Sequence, residues 1–266
     1  MPDPRPEQAD TVATGVIHEG DAIAVMSGWP DASIDACITD PPYNMSRRKG
    51  LKWAFSSHVT MEQRWDQFTA EEYVEFTRRW LSEVCRVVRP NGNILVFGSF
   101  HNIYVIGYVL GQLLGRRILQ QITWFKPNAQ PNITGRLPTE STEYVIWACN
   151  NSPERASHWT FDYAGSKEIG GGKQLRNLWS IPCTPRSERS TGKHPTQKPL
   201  AIAERIVRLW TKPDELVLDC FLGTGTTAVA AQTLGRRWLG IERDPAYAAI
   251  ARSRIAEASK QLARGR

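Results

Sequence analysis

The sequence predicts an α/β domain built on a doubly wound, mostly parallel sheet, and three observations carry that expectation. Short apolar runs of strand length alternate with longer amphipathic stretches over most of the chain, the pattern of a parallel sheet flanked by helices. A glycine-rich turn, Gly223-Thr224-Gly225, lies between a strand and a helix near the C-terminus. Asp40-Pro41-Pro42-Tyr43 directly follows a second buried strand, and α/β sheets place ligands at such strand ends.

In chain order, residues 1–14 are Pro-rich and polar and are expected to be disordered. A strand beginning at Val16-Ile17 ends at Gly20-Asp21, and Ile34 to Thr39 forms a second. Residues 44–68 show no period and carry Arg47, Arg48, Lys49 and Lys52; a loop this long inside a compact domain is usually functional or mobile. Thr69 to Val88 is the clearest helix, with Thr69 and Glu72 as a capping box and Tyr73, Phe76, Trp80, Leu81, Val84 and Val87 on one apolar face. A turn at Asn91-Gly92 leads into a buried strand from Asn93 to Gly98. A helix over Ile103 to Leu114 and strands near Ile118 to Phe125 and Tyr144 to Ala148 follow.

Periodicity fails over residues 150–192, where Arg155, Lys167, Lys173, Arg176, Arg186 and Arg189 are interleaved with Trp159, Tyr163 and Trp179. The α/β pattern then resumes. Pro199 opens a helix carrying Ile202, Ile206, Leu209 and Trp210; Glu215 to Asp219 is a strand, Thr226 to Leu234 a helix, and Trp238 to Glu242 a strand. Asp244 and Pro245 start the last helix, and the basic tail, 259–266, is expected to fray.

Composition bounds the function. The 266 residues suit one α/β core with an accessory segment. A net charge of +6 suits a polyanionic partner without requiring one. Five scattered cysteines without a C-x-x-C pair read as free thiols in a reducing compartment. The five histidines never reach metal-ligand spacing, so no metal is expected. There is no apolar run near 18 residues and no charged-then-apolar start, so neither a membrane span nor a secretory signal is expected.

The chemistry concentrates at two places. Gly223, Gly225 and Ala228 form G-x-G-x-x-A, and Glu242 closes the next strand nineteen residues after Gly223. Glycines permit a tight turn and close approach of a ligand to backbone, and a carboxylate at that offset accepts from ribose hydroxyls. This implies a nucleoside cofactor but does not separate NAD from S-adenosylmethionine, since both contain a ribose. At Asp40-Pro41-Pro42-Tyr43, two prolines stiffen the turn and leave carbonyls that only accept. A carboxylate, carbonyls and a ring at one spot suit an exocyclic amine: acceptors take its N–H hydrogens while Tyr43 stacks on the base. Such a nitrogen is a poor nucleophile because its lone pair is delocalised into the ring. Accepting both hydrogens favours a pyramidal nitrogen, and holding it against a methyl donor is worth ~7–11 kcal/mol.

Over Val16 to Ala251 the chain resembles the amino-specific DNA methyltransferases of the β (permuted) class, in which D-P-P-Y precedes the glycine motif. A third motif carries the resemblance, Lys193-His194-Pro195-Thr196-Gln197-Lys198-Pro199. The resemblance implies a Rossmann-like methyltransferase fold in circularly permuted motif order. Residues 15–149 would then be the catalytic half, 150–192 an inserted target-recognition region and 193–258 the S-adenosylmethionine half. It implies that Asp40, Pro41, Pro42 and Tyr43 are catalytic. Asp21, Thr196, Lys198, Asp219, Phe221, Gly223, Gly225, Thr226, Thr227 and Glu242 would hold the cofactor, with Lys198 and Thr196 on its carboxylate, Asp219 on its amino group and Asp21 beside its adenine. Asp21 also reads as a plain helix N-cap. Arg47, Arg48, Lys49, Arg186 and Arg189 would touch DNA phosphates. Double-stranded DNA is the implied partner, with a homodimer and a cognate restriction enzyme as further partners of the class, in a cytoplasmic, nucleoid-associated setting of prokaryotic or phage type. Within the class, Asp at the first motif position goes mostly with adenine N6 and Ser with cytosine N4. The chain thus points to adenine first and N4-cytosine second.

Other readings explain less. An NAD dehydrogenase leaves Asp40 to Tyr43 without a role and lacks an evident acid beside a hydride site. Methyltransferases acting on RNA or protein amides usually run in the unpermuted order. A regulatory protein without turnover has no use for Asp40, and cytosine C5 chemistry needs a cysteine nucleophile, whereas Cys183 lies in the variable region.

Overall fold

The computed structural model describes residues 12–44, 68–132, 135–189, 192 and 196–264. Among these, eight strands form one sheet: β1 (Val16–Glu19), β2 (Ile34–Thr39), β3 (Val88–Gly98), β4 (Arg117–Phe125), β5 (Thr142–Cys149), β6 (Leu178–Ser180), β7 (Leu216–Asp219) and β8 (Arg237–Glu242). Their spatial order is β1-β8-β7-β2-β3-β5-β4-β6. Neighbours from β1 to β3 pair in parallel, β5 is antiparallel to both β3 and β4, and β6 is parallel to β4. Among the described strands, β5 alone is reversed. That reversal decides which residues reach the site.

Helices cover both faces, as the alternating pattern requires. On one face α1 (Ala22–Met26), α2 (Ala70–Val87) and α3 (Ile103–Tyr108) bury Met26, Trp80, Leu81, Val84 and Ile106 against Ile94, Val96 and Leu218. On the other, α5 (Leu200–Trp210), α6 (Thr226–Thr233) and α7 (Pro245–Arg264) bury Ile202, Ile206, Ala230, Ala251 and Ile255 against Leu95, Val145 and Val217. Covered on both sides, β7 is buried throughout, which is why it reads as a continuous apolar run ending in a carboxylate. The capping box of α2 forms as expected, with Thr69 Oγ1 accepting from Glu72 N at 3.2 Å and Glu72 Oε2 from Thr69 N at 2.8 Å.

The structure corrects the sequence reading at several places. The stretch 150–192 contains α4 (Tyr163–Ile169), which packs on α5, and the edge strand β6. Trp179 is 2% exposed and part of the core, and Trp159 packs against that core, so these two aromatics stabilise the sheet instead of facing a nucleic acid; Tyr163 is exposed. A three-residue strand carries too little pattern to be seen, yet one buried aromatic removes about 150–250 Å² from water and holds it. The expected turn at Asn91-Gly92 is an irregularity inside β3, where Asn91 has φ 61° and the pairing with β2 jumps from Ile34↔Val88 to Ala36↔Asn93. The helix from Ile103 passes into a π-turn at Val109–Leu113. The C-terminal tail does not fray after Ser259: α7 runs to Arg264, with Ala258 buried and Gln232 Nε2 donating to Ser259 Oγ at 2.8 Å.

Candidate active site

β2 and β7 are adjacent and parallel, and their C-terminal ends deliver two carboxylates to one edge of the sheet. At this point the strand order reverses, with β8 on one side and β3 on the other, so the loops diverge and leave a crevice.

Asp219, the last residue of β7, is 4% exposed. Its Oδ1 accepts from Thr39 Oγ1 at 2.8 Å and from Phe221 N at 3.2 Å. Burial raises its carboxyl to about 6; hydrogen bonds from Thr227, Thr39 and Phe221 oppose the rise, and the negative charge of Asp40 adds to it. A carboxylate this far from water is poised for a cation.

The glycine turn follows. Gly223 and Gly225 have φ of 53° and 81°, a region that side chains other than glycine rarely occupy, and a Cβ on Gly225 would lie 3.1 Å from the Ala251 methyl. Glu242, at the end of β8, accepts from Gly223 N through Oε2 at 2.7 Å and from Asp244 N through Oε1 at 2.8 Å. Burial pushes its carboxyl up, opposed by those backbone donors. Arg254 of α7 is 8% exposed and bolts the turn in place, donating to Thr224 O at 2.7 Å and to the Thr224 and Thr226 hydroxyls at 3.0 Å. The Thr226 hydroxyl donates to Lys198 O at 3.3 Å, so its hydrogen is held by the protein. Phe221 lies beside the turn, its ring edge-on to Trp80 at 5.2 Å. Asp21 caps α1, accepting from Ile23 N and Ala24 N at 3.1 Å, and is exposed next to the end of β8, where Gly20 N donates to Glu242 O at 3.0 Å. Thr196 is exposed on the loop that leads to α5.

Asp40 stands at the other end of the crevice. Its Oδ2 receives Lys198 Nζ at 2.5 Å, while its Oδ1 is buried and has no hydrogen-bond partner among the described residues. Lys198, 7% exposed, also lies 3.3 Å from Glu143 Oε2 and 5.0 Å from the Tyr43 ring centre. Glu143 in turn accepts from Tyr43 Oη at 3.2 Å and from Lys126 Nζ at 3.1 Å. Burial raises the Asp40 carboxyl and Glu143 adds to the rise, while Lys198 and Tyr43 pull the other way. Burial works against the charge on Lys198, but Asp40 and Glu143 carry its ammonium above the ordinary range. Glu143 is also penalised by burial, yet Lys198 and Lys126 bring it below its ordinary value. Two anions and two cations thus share a confined, mostly dry space. Pro42 is fixed from outside: its carbonyl accepts from Tyr73 Oη at 2.7 Å, and Tyr73 receives Asn102 Nδ2 at 3.2 Å.

The structure places Asp40 to Tyr43 at the same sheet edge as Asp219, with Gly223, Gly225 and Glu242 on the adjoining turn and strand end. It places the Lys198 ammonium on Asp40 and Glu143. Arg186 and Arg189 flank a 3₁₀ turn (Arg186–Arg189) whose Glu188 caps α5, accepting from Leu200 N at 2.8 Å. Arg47, Arg48, Lys49 and the segment 193–195 lie outside the described residues, as does most of the loop expected over 44–68; its ends meet where Asn44 Oδ1 accepts from Phe68 N at 2.9 Å. Sequence reasoning missed Glu143, Lys126, Tyr73, Thr39 and Arg254. A carboxylate leading directly into a buried strand, as in Glu143-Tyr144-Val145-Ile146, was the one available sign.

Three comparisons bear on this site. A family model described as DNA methylase, of N6/N4 type, matches residues 34–253. The chain is 39% identical over 242 residues to the type II methyltransferase M2.DpnII of Streptococcus pneumoniae, covering 90% of this chain and 89% of the relative. It is equally similar to the type II methyltransferase M2.LlaDCHI of Lactococcus lactis subsp. cremoris, of which it covers 88%. Among solved structures it resembles the M1.HpyAVI complex with S-adenosylmethionine, at a TM-score of 0.65 and 27% identity over 90% of this chain and 98% of the other. The cytosine-N4-specific PvuII DNA methyltransferase shares the fold at a TM-score of 0.71 and 21% identity, covering 96% of this chain and 95% of that one.

Proposed function

The chain belongs to the N6/N4 DNA methylase family and is a DNA methyltransferase, and we propose that it moves the methyl group of S-adenosylmethionine to adenine N6 in duplex DNA. The observation that carries this reading is the buried Oδ1 of Asp40, which has no hydrogen-bond partner among the described residues and belongs to a motif whose two prolines offer carbonyl acceptors. Of the two motif carbonyls, that of Pro42 is already engaged by Tyr73, which leaves Pro41 as the second acceptor. An amino group between Asp40 Oδ1 and the Pro41 carbonyl would give one hydrogen to each. Its lone pair is then turned out of the ring plane. Tyr43, whose hydroxyl is anchored on Glu143, offers its ring to the flipped base, an interaction worth about 1–3 kcal/mol.

S-adenosylmethionine supplies an electrophilic sulfonium methyl, and the residues at the glycine turn fit it. Glu242 suits the ribose hydroxyls, the Gly223-Gly225 turn allows close backbone approach, and Asp219 offers a buried carboxylate to the ammonium. Asp21 at the end of β1 suits the adenine side, Phe221, Thr226 and Thr227 line the turn, and Thr196 suits the cofactor carboxylate. In this reading residues 15–149 and 193–258 are the catalytic and cofactor-binding halves of one domain. Within 150–192 the exposed Arg186 and the half-buried Arg189 would reach DNA phosphates, and Arg47, Arg48 and Lys49 would serve the same end. The type II names of the relatives favour a modification role beside a restriction enzyme.

Asp40→Ala tests the reading. Loss of a preorganised acceptor typically costs ~10²–10³ in rate, so methyl transfer should fall by that factor with S-adenosylmethionine affinity unchanged. Near-normal turnover would remove Asp40 from the chemistry. Mass spectrometry of nucleosides from DNA methylated by the native chain should show N6-methyladenine; N4-methylcytosine as the sole product would refute the adenine assignment and leave the acceptor geometry standing.

A further inference from the structure

Asp40 has two carboxylate oxygens, and the structure treats them differently. Oδ2 is held by Lys198 at 2.5 Å, and Oδ1 is buried without a hydrogen-bond partner among the described residues. We propose that Lys198 and Glu143 are positioning residues for methyl transfer: Lys198 fixes and charges Asp40, and Glu143 holds Lys198 and the Tyr43 ring in one register. This rests on the amine-acceptor role of Asp40 and deepens it. It also moves Lys198 from the cofactor end, where its motif places it, to the base end.

The geometry supports each link. A carboxylate with both oxygens unpartnered rotates about its Cβ–Cγ bond, and a buried carboxyl with no counter-ion takes up a proton and becomes a donor on one side. Lys198 opposes both: its hydrogen bond holds Oδ2, and its charge works against the rise that burial causes. Its ammonium is itself held, because Glu143 Oε2 lies 3.3 Å away and Lys126 secures the other Glu143 oxygen at 3.1 Å. The same Glu143 Oε2 receives the Tyr43 hydroxyl at 3.2 Å. One carboxylate on β5 therefore sets the acceptor, through Lys198, and the stacking ring directly. Among the described residues, the charged and titratable groups facing Asp40 are Lys198 from the segment before α5, Glu143 from β5, Asp219 from β7 and Tyr43 from its own loop. In the reaction the N6–CH₃ bond forms as the S–CH₃ bond breaks, and N6 must shed one proton. Asp40 Oδ1 receives it, and the resulting acid returns it to water when the product leaves. A neighbouring anion makes Asp40 a better proton acceptor and a neighbouring cation keeps it ionised beforehand, so Glu143 and Lys198 act on it in opposite directions.

The test uses the full chain, labelled S-adenosylmethionine at saturation and unmethylated genomic DNA, with single-turnover rates measured against pH. Lys198→Met should lower the rate by about 10²-fold and move the acid limb of the profile to higher pH, with S-adenosylmethionine affinity within threefold of native. Glu143→Gln, close to isosteric, should slow transfer and move the acid limb to lower pH, since an anion beside Asp40 is gone. Lys198→Arg should restore part of the rate lost in Lys198→Met. A tenfold or greater loss of cofactor affinity in Lys198→Met with an unmoved acid limb would return Lys198 to the cofactor carboxylate and overturn the proposal. So would native rate and profile in Glu143→Gln, which reads the same network even where Lys198→Met does not fold. Asp40→Ala run alongside separates the two layers: full activity there defeats the acceptor reading itself, whatever the Lys198 and Glu143 variants do.

Discussion

Replacing Asp219 by asparagine should make the protein more stable and a poorer binder of S-adenosylmethionine. The carboxyl is buried with two short-range donors, Thr39 Oγ1 and Phe221 N, and its folded value of about 6 stands above the ordinary 3.8. A carboxyl whose folded value is raised contributes most to stability below its unfolded value and loses that contribution as pH rises through the folded one. At ~1.36 kcal/mol per pH unit, the ionised carboxylate therefore costs about 3 kcal/mol at pH 7.5 relative to its protonated form. Asparagine keeps an acceptor oxygen for Thr39 and Phe221 and carries no charge. Urea unfolding without cofactor should show Asp219→Asn more stable by up to about 3 kcal/mol at pH 7.5, and by roughly half of that at pH 5. Calorimetry should show the converse for the cofactor. A hydrogen bond to a charged partner is worth about 1.5–3 kcal/mol, so affinity at pH 7.5 should fall by about one to two powers of ten. In the native chain, affinity should fall about tenfold between pH 7 and pH 5 as Asp219 protonates, and the variant should lack that dependence. A variant less stable than native at pH 7.5, or a native affinity flat between pH 7.5 and pH 5, would refute the assignment of Asp219 to the ammonium.

Two further outcomes follow from single contacts. Glu242→Gln leaves one of the two backbone donors, Gly223 N or Asp244 N, facing an amide N–H₂; S-adenosylmethionine affinity should drop at least tenfold and thermal unfolding should come several degrees earlier, and calorimetry with unchanged affinity would show that Glu242 braces the turn without touching ribose. Tyr73→Phe releases the Pro42 carbonyl at a cost in stability of about 1 kcal/mol; single-turnover methylation should slow by roughly tenfold with cofactor binding intact, and a native rate would mean that the proline turn holds its shape unaided.

Most of the fold was legible because its central strands are short and continuously apolar while its helices are amphipathic. Ile34–Thr39 and Leu216–Asp219 fall where those runs lie. The motif residues were legible for a different reason: two prolines, or two glycines of positive φ, have few uses other than shaping a turn at a strand end. What escaped was short or non-local. β6 has three residues and is held by Trp179, and no pattern of that length separates a strand from a loop.

The sequence by itself determined an α/β methyltransferase domain, the two strand ends that carry its chemistry, and the identity of the residues that shape the turns there. Only the tertiary structure decided which side chains stand beside Asp40. In chain order Glu143 is 103 positions from Asp40 and Lys198 is 158. β5 runs opposite to β3 and β4, so its first residues lie at the edge where β2 and β4 end, and this puts Glu143 between Tyr43, Lys126 and Lys198. Had β5 been parallel, the same glutamate would lie at the opposite edge, away from Lys126 and Lys198. Direction of a strand is set by pairing and packing between distant segments, and no local periodicity records it.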